Sequence, residues 1–247
     1  MRIIEFGKKE KPIIVLIHGF ESMYQIWDEY IYHYQDKYHI IVPILPSHDK
    51  EIQEEFESVQ KTTDEIIKYI LKYNTNVYAI YGMSMGGVFA FNIAISNNIK
   101  VEKLILDGTP LLGYSKVIKK VLIKNYLNIT KKAKTRDVKT IKKAVKTIVT
   151  PEKLYFFLDM IDSITDTSII KYIEELSNYR VDLSKLTSKL YYFHGTKINE
   201  LLSKKVSNYL SKYYQQLKII KFNKKSHCEI AIFNPKLMIK HLDEILN

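Results

Sequence analysis

Gly82-Met83-Ser84-Met85-Gly86 is the stretch on which the reading of this chain turns. It matches G-x-S-x-G, a corner that places a serine at the tip of a strand–turn–helix unit. The flanks suit such a unit. Val77-Tyr78-Ala79-Ile80-Tyr81 is a short β-branched and aromatic run, the pattern of a buried strand, and Gly87 to Ala94 reads as a buried helix. Passing from strand to helix within one corner forces the tip residue into a strained backbone. It also brings the two elements so close that Gly82 and Gly86 are needed on either side. The strain presents the Ser84 hydroxyl, and the start of the helix behind it favours negative charge developing there.

Working outward, the first half of the chain alternates strand and helix signals, which predicts an α/β fold: a mostly parallel sheet covered by helices on both faces. Ile13–Ile17, Ile40–Leu45 and Lys103–Asp107 read as strands. Amphipathic stretches from about Tyr24 to Tyr38 and from about Glu51 to Tyr73 read as helices. After Gly113 no glycine occurs until Gly195, and Pro151 is the one proline between them. That region reads as several helices, with Val117, Ile118, Val121, Leu122 and Tyr126 on one face and a helix start at Thr150-Pro151-Glu152. Strand signal returns at Leu190–Phe193 and Leu217–Phe222, and a helix from Pro235 to Leu246 closes the chain. The spacing predicts a core of residues 1–110 and 186–247, with residues 111–185 as an inserted helical cap.

Composition bounds the function. At 247 residues and 46% apolar, the chain fits one globular domain with an insertion. No segment reaches the roughly 18–20 unbroken apolar residues of a membrane span, and the first residues lack the apolar core of a secretory leader. The single cysteine, Cys228, excludes an intrachain disulfide framework, so a cytoplasmic location is expected. The net charge of +11 raises a nucleic-acid role, yet only three of the 38 basic residues are arginine. Lysines spread over solvated faces explain the charge better than an arginine-rich binding surface, and no nucleic-acid partner is expected. The lysines of the insertion, such as Lys119, Lys120, Lys142, Lys143 and Lys146, likewise read as a solvated face rather than a stable membrane anchor.

Six of the eight glycines (Gly19, Gly82, Gly86, Gly87, Gly108 and Gly195) fall at strand ends or turns, which gathers the site to one sheet edge. A serine hydroxyl needs a base to become nucleophilic. Of seven histidines, His227 fits best, lying in a polar loop between the last strand and the last helix. His18 and His194 each precede a glycine at a strand end and read as structural. Cys228 adjoins the base and is not the nucleophile. The oxyanion formed on attack needs two donors: the backbone N–H of Met85 and that of Phe20. This chemistry requires no metal and no organic cofactor.

Through His18-Gly19-Phe20, Gly82-Met83-Ser84-Met85-Gly86-Gly87, His194-Gly195-Thr196 and Ser226-His227-Cys228-Glu229, the chain resembles the α/β-hydrolase superfamily over essentially its whole length. It looks like the small serine esterase and acylglycerol-lipase branch with a short helical lid. The resemblance implies the order nucleophile, acid, histidine. It places the acid at the third residue beyond the glycine of the penultimate strand, which here is Ile198 and cannot serve. Glu200 lies two residues on and is preferred. Asp107, at the end of the strand before the insertion, is the rival.

The leading expectation is a serine hydrolase of carboxylic esters, a carboxylesterase or lipase-like enzyme acting through an acyl-enzyme on Ser84. Its partner is a small-molecule ester with an apolar acyl group, a choice suggested by Tyr126, Leu127, Tyr155, Phe156 and Phe157 in the insertion, although most of these suit packing equally well. A thioesterase, peptidase or C–C hydrolase using the same site remains open. So does a non-catalytic binding protein on this fold, because the acid is displaced.

Overall fold

Every residue of Ile13–Ile17 is buried, and their side chains alternate between two separate cores. Ile13, Val15 and Ile17 join one, Ile14 and Leu16 the other. A strand covered on both faces has no solvent side, which is why this run carries no polar alternation. The computed structural model describes all of residues 1–247. In chain order the elements are β1 (Ile3–Phe6), β2 (Ile13–Ile17), α1 (Asp28–Tyr34), β3 (His39–Pro43), α2 (Val59–Ile70), β4 (Asn76–Met83), α3 (Met85–Ala94) and β5 (Lys100–Asp107). Four helices follow: α4 (Lys116–Lys134), α5 (Val138–Thr147), α6 (Leu154–Ser163) and α7 (Asp166–Asn178). The chain ends with β6 (Lys189–Gly195), α8 (Leu201–Tyr213), β7 (Leu217–Phe222), α9 (Glu229–Phe233) and α10 (Pro235–Leu246).

The seven strands form one sheet in the order β1-β3-β2-β4-β5-β6-β7. All neighbours run parallel except β1, which pairs antiparallel to β3 at the edge. One face is covered by α2, α3 and α8, the other by α1, α9 and α10. Burying Ile66, Ile67 and Ile70 of α2 contributes roughly 1.5–3 kcal/mol each. Packed against α2 on one side and β4 and β5 on another is α3, whose residues are buried nearly all round, so Val88 to Ala94 show no polar stripe.

Two sequence expectations change. The helix expected from about Glu51 begins only at Val59, where Ser58 Oγ accepts the Lys61 N–H at 3.1 Å as an N-cap. The acids upstream are drawn away to the N-terminus: Arg2 pairs with Asp49 and Glu51, and the Met1 amino group with Glu54. The helix expected from Tyr24 divides into a 3₁₀ turn at Tyr24–Trp27 and α1, which stops at Tyr34.

The four helices α4–α7 lie between β5 and β6, and their chain enters and leaves side by side through a bridge between Leu112 and Arg180. Tyr172 of α7 ties them to the body. Its ring stacks on Phe56 at 3.6 Å, and its hydroxyl donates to the Pro46 carbonyl at 2.9 Å. On α4, Leu122 and Tyr126 pack against Ile164, Ile169 and Ile173, while Val117, Ile118 and Val121 are exposed. Tyr155 and Phe156 also face outward, whereas Phe157 is buried.

Candidate active site

Ser84 is the single residue between β4 and α3, with φ +51° and ψ −120°. Holding a serine in this sparsely allowed region costs on the order of 1–3 kcal/mol and persists because the surroundings fix it. Its N–H donates to the Asp107 carbonyl at 2.7 Å, pinning the corner to β5. A Cβ on Gly86 would lie 2.3 Å from the Ile17 carbonyl oxygen, and one on Gly82 would lie 2.5 Å from the Gly87 Cα. No side chain fits at either place.

His227 lies in the loop between β7 and α9, half-buried, with Nε2 2.9 Å from Ser84 Oγ. Its other nitrogen, Nδ1, is 2.7 Å from Glu200 Oε1. A carboxylate can only accept, so Nδ1 carries the proton and donates to Glu200. Nε2 then presents a lone pair to the Ser84 hydroxyl. Burial alone would lower the pKa of His227. The bond to Glu200 and its charge, with that of Asp107, more than offset this and raise it above the ordinary value.

The displaced acid has a local explanation. Residues Ile198–Glu200 form one 3₁₀ turn, which brings Glu200 back toward the strand end. Its side chain is 1% exposed, and Oε2 accepts the Gly195 N–H at 3.3 Å while Oε1 takes the histidine. Asp107 is equally buried, but its carboxylate accepts the Tyr81 hydroxyl at 3.0 Å and makes no hydrogen bond to His227. Burial pushes Asp107 up to about 7, against the opposing influence of His227 and Tyr81. The carboxylate brought to the imidazole is therefore that of Glu200.

The two histidines at strand ends, His18 and His194, bond backbone instead. Nε2 of His18 accepts the Leu45 N–H at 3.1 Å, its Nδ1–H donates to the Gly19 carbonyl, and burial lowers its pKa to about 4. His194 sits 2.6 Å from the Gly195 carbonyl through Nδ1. Cys228 is buried with Sγ 3.5 Å from the Asp107 carbonyl, and burial pushes its thiol well above the ordinary value, which suits an inert thiol. Met85 opens α3, where an N–H has no intrahelical acceptor. The Phe20 N–H, in the loop after β2, bonds to no backbone carbonyl. The Phe20 ring packs on Tyr126 and Tyr172, each at 5.1 Å, so this loop also carries α4 and α7.

Beneath α4–α7 a cavity of about 800 Å³ opens onto Ser84 and His227. Phe157 and Ile161 of α6, Ile173 of α7 and Leu122 of α4 make much of its wall apolar. Two residues bear on this site in ways that the sequence does not show. Gly108, which reads there as a turn, has φ +61° and directly faces the His227 ring. Glu21 lines the cavity although an acid in a loop ordinarily reads as solvated. The one available signal is its place next to Phe20.

Comparisons with known proteins agree with this architecture. The profile of a family described as alpha/beta hydrolase fold matches residues 12–126. A pimeloyl-[acyl-carrier protein] methyl ester esterase of Legionella pneumophila (strain Paris) is 25% identical over 239 residues, covering 94% of each chain. A Desulfitobacterium hafniense protein assigned to the alpha/beta hydrolase family superposes with a TM-score of 0.78 at 23% identity, covering 100% of both chains. A carboxylesterase structure from Nitrososphaera gargenis gives a TM-score of 0.77 at 15% identity, covering 99% of this chain and 93% of the other. The structural likenesses bear on the fold. No helix is long and apolar enough to cross a membrane.

Proposed function

The chain belongs to the α/β-hydrolase superfamily, and from that premise we propose that it is a serine hydrolase of carboxylic esters. The observation that carries the reading is the continuous chain Ser84 Oγ, His227, Glu200, at 2.9 and 2.7 Å. In this account His227 Nε2 takes the Ser84 proton as Oγ attacks the ester carbonyl carbon. The N–H groups of Phe20 and Met85 hold the oxyanion, and Glu200 orients and stabilises the imidazolium. The imidazolium then protonates the leaving alcohol. Water, deprotonated by the same histidine, releases the acid from Ser84.

The curated relative is named for hydrolysis of an acyl methyl ester, and a methyl ester leaves a small alcohol. That name and the apolar cavity together favour esters with an apolar acyl chain and a compact alcohol. A purely binding role drew its support from the displaced acid, and Glu200 at 2.7 Å from His227 removes that support. The test is a series of methyl and nitrophenyl esters of rising acyl length, with thioesters and peptides alongside. Ester turnover that falls by about 10⁴-fold or more in Ser84→Ala is expected. Inert esters beside reactive thioesters or peptides would assign a different substrate class.

A further inference from the structure

Glu21 combines three features that solvated loop acids lack. It follows the oxyanion-loop residue Phe20, its backbone is in the left-handed region at φ +49°, and its carboxyl is buried against the cavity. Two contacts hold it. Its N–H donates to His48 Nε2 at 3.0 Å, and the Thr130 hydroxyl of α4 lies 2.5 Å from Oε1. The same hydroxyl is 2.7 Å from the Tyr126 carbonyl. Thr130 has one hydrogen for these two acceptors. A neutral Glu21 donates from Oε1 to Thr130, which donates to Tyr126; an ionised Glu21 accepts from Thr130. With the proton on Oε1, or with none, Oε2 is an acceptor, and it has no hydrogen-bond partner in the protein. Burial, partly opposed by Thr130, raises the Glu21 pKa to about 7.

A second polar group follows it in the chain. Ser22 Oγ is buried without a hydrogen-bond partner in the protein, and Ser22 borders the same cavity. Buried polar groups ordinarily find partners, so a carboxyl oxygen left without one on a cavity wall marks a place for a ligand group. Its distance from the chemistry is set by the chain. Gly19 sits against Ser84, with a Cβ there only 3.2 Å from Ser84 Cβ, and Glu21 is two residues on, at most about 7.6 Å by Cα steps. That is the span of a few bonds from an ester carbonyl. Lys132, Lys139 and Lys143 line the same cavity and repel a cation.

We propose that Glu21 and Ser22 form a polar subsite in the otherwise apolar cavity, selecting esters that carry a neutral hydrogen-bond donor, a hydroxyl, a few atoms from the scissile carbonyl. The substrate class rests on the ester-hydrolase reading above. Glu21 is thus a specificity residue, distinct from the groups that perform the chemistry. The bland alternative is that Glu21 only clamps α4 through Thr130, and the two differ in what substitution does to selectivity.

The test uses Ser84→Ala protein, so that binding is read without turnover. Calorimetry compares hydroxyethyl butyrate with propyl butyrate, where a hydroxyl replaces a methyl on the alcohol side. Propyl β-hydroxybutyrate against propyl isovalerate makes the same exchange on the acyl side. The subsite predicts about 10-fold tighter binding of the hydroxylated member in at least one pair. That preference is lost in Glu21→Met and kept in Thr130→Val, which removes the clamp alone. No discrimination in either pair, or a preference that survives Glu21→Met, overturns the proposal. Should Glu21→Met not fold, Glu21→Leu takes its place, and the absence of discrimination in both ester pairs on the Ser84→Ala protein still overturns the proposal. Failure of wild-type protein to hydrolyse any of these esters counts against the hydrolase reading, while the binding comparison still judges the subsite.

Discussion

Gly108 and His227 are in direct apposition: a Cβ at position 108 would lie 2.5 Å from the imidazole Cε1 and 2.7 Å from Nδ1. The ring that meets both Ser84 and Glu200 is therefore seated against bare backbone, and the positive φ of Gly108 adds a strain that alanine resists. Gly108→Ala is expected to push the imidazole out of line and lower kcat by about 100-fold, the scale of a displacement near 1 Å. Steady-state kinetics on folded variant check this, and an unchanged kcat would show that the ring is not seated there during turnover.

Glu200 and Asp107 both lie buried near the same histidine, but only Glu200 is bonded to it. Glu200→Gln is expected to lower kcat by about 10³–10⁴-fold, because the imidazolium loses its counter-charge and its tautomer is no longer fixed. Asp107→Asn keeps an acceptor for Tyr81 and is expected to cost less than about 10-fold. Both are measured with one nitrophenyl ester; the reverse ranking would move the acid to β5.

The histidine must be neutral to accept the serine proton, so activity is lost as pH falls through its pKa. Burial opposes the charged form of His227, yet Glu200 raises its pKa above the ordinary 6.5. The acidic limb of kcat/KM against pH is therefore expected above 6.5 in wild-type protein and at lower pH in Glu200→Gln. Coincident limbs would contradict the assigned partnership.

Asp107 carries a stability prediction of its own. Burial moves its folded pKa from 3.8 to about 7. Between those values the folded state holds a proton that the unfolded state has released. The associated stability is complete below about 4 and declines as pH rises to about 7. Asp107→Asn cannot ionise. Wild-type stability relative to this variant is expected to fall by a few kcal/mol across that window and stay level above it. Denaturant midpoints at a series of pH values provide the check, and parallel curves would contradict it.

What the sequence makes legible here is local or fully buried. The corner at Ser84 is encoded within five residues and its two flanks, and strands covered on both faces announce themselves as unbroken apolar runs. Leu217–Phe222 and Pro235–Leu246 coincide with the elements read from them. The four-residue β1 escapes because it is half-exposed at an edge and too short to show a period. The start of α2 is misplaced because the charges of Glu51 and Glu54 serve contacts with Arg2 and Met1. Glu200 can be preferred over Asp107 from the chain alone, yet its contact with His227 spans 27 residues and depends on a single 3₁₀ turn. Gly108 and Glu21 are meaningful only once β2, β5 and α4 have come together, and no local pattern records that.

The central claim is that Ser84 is a nucleophile activated by His227. Treatment with a fluorophosphonate and mapping of the modified peptide by mass spectrometry tests it most directly. One adduct is expected, on Ser84, formed at least about 100-fold more slowly in His227→Ala. An intact protein that takes up no label, or takes it up elsewhere, would show that Ser84 is not an activated nucleophile.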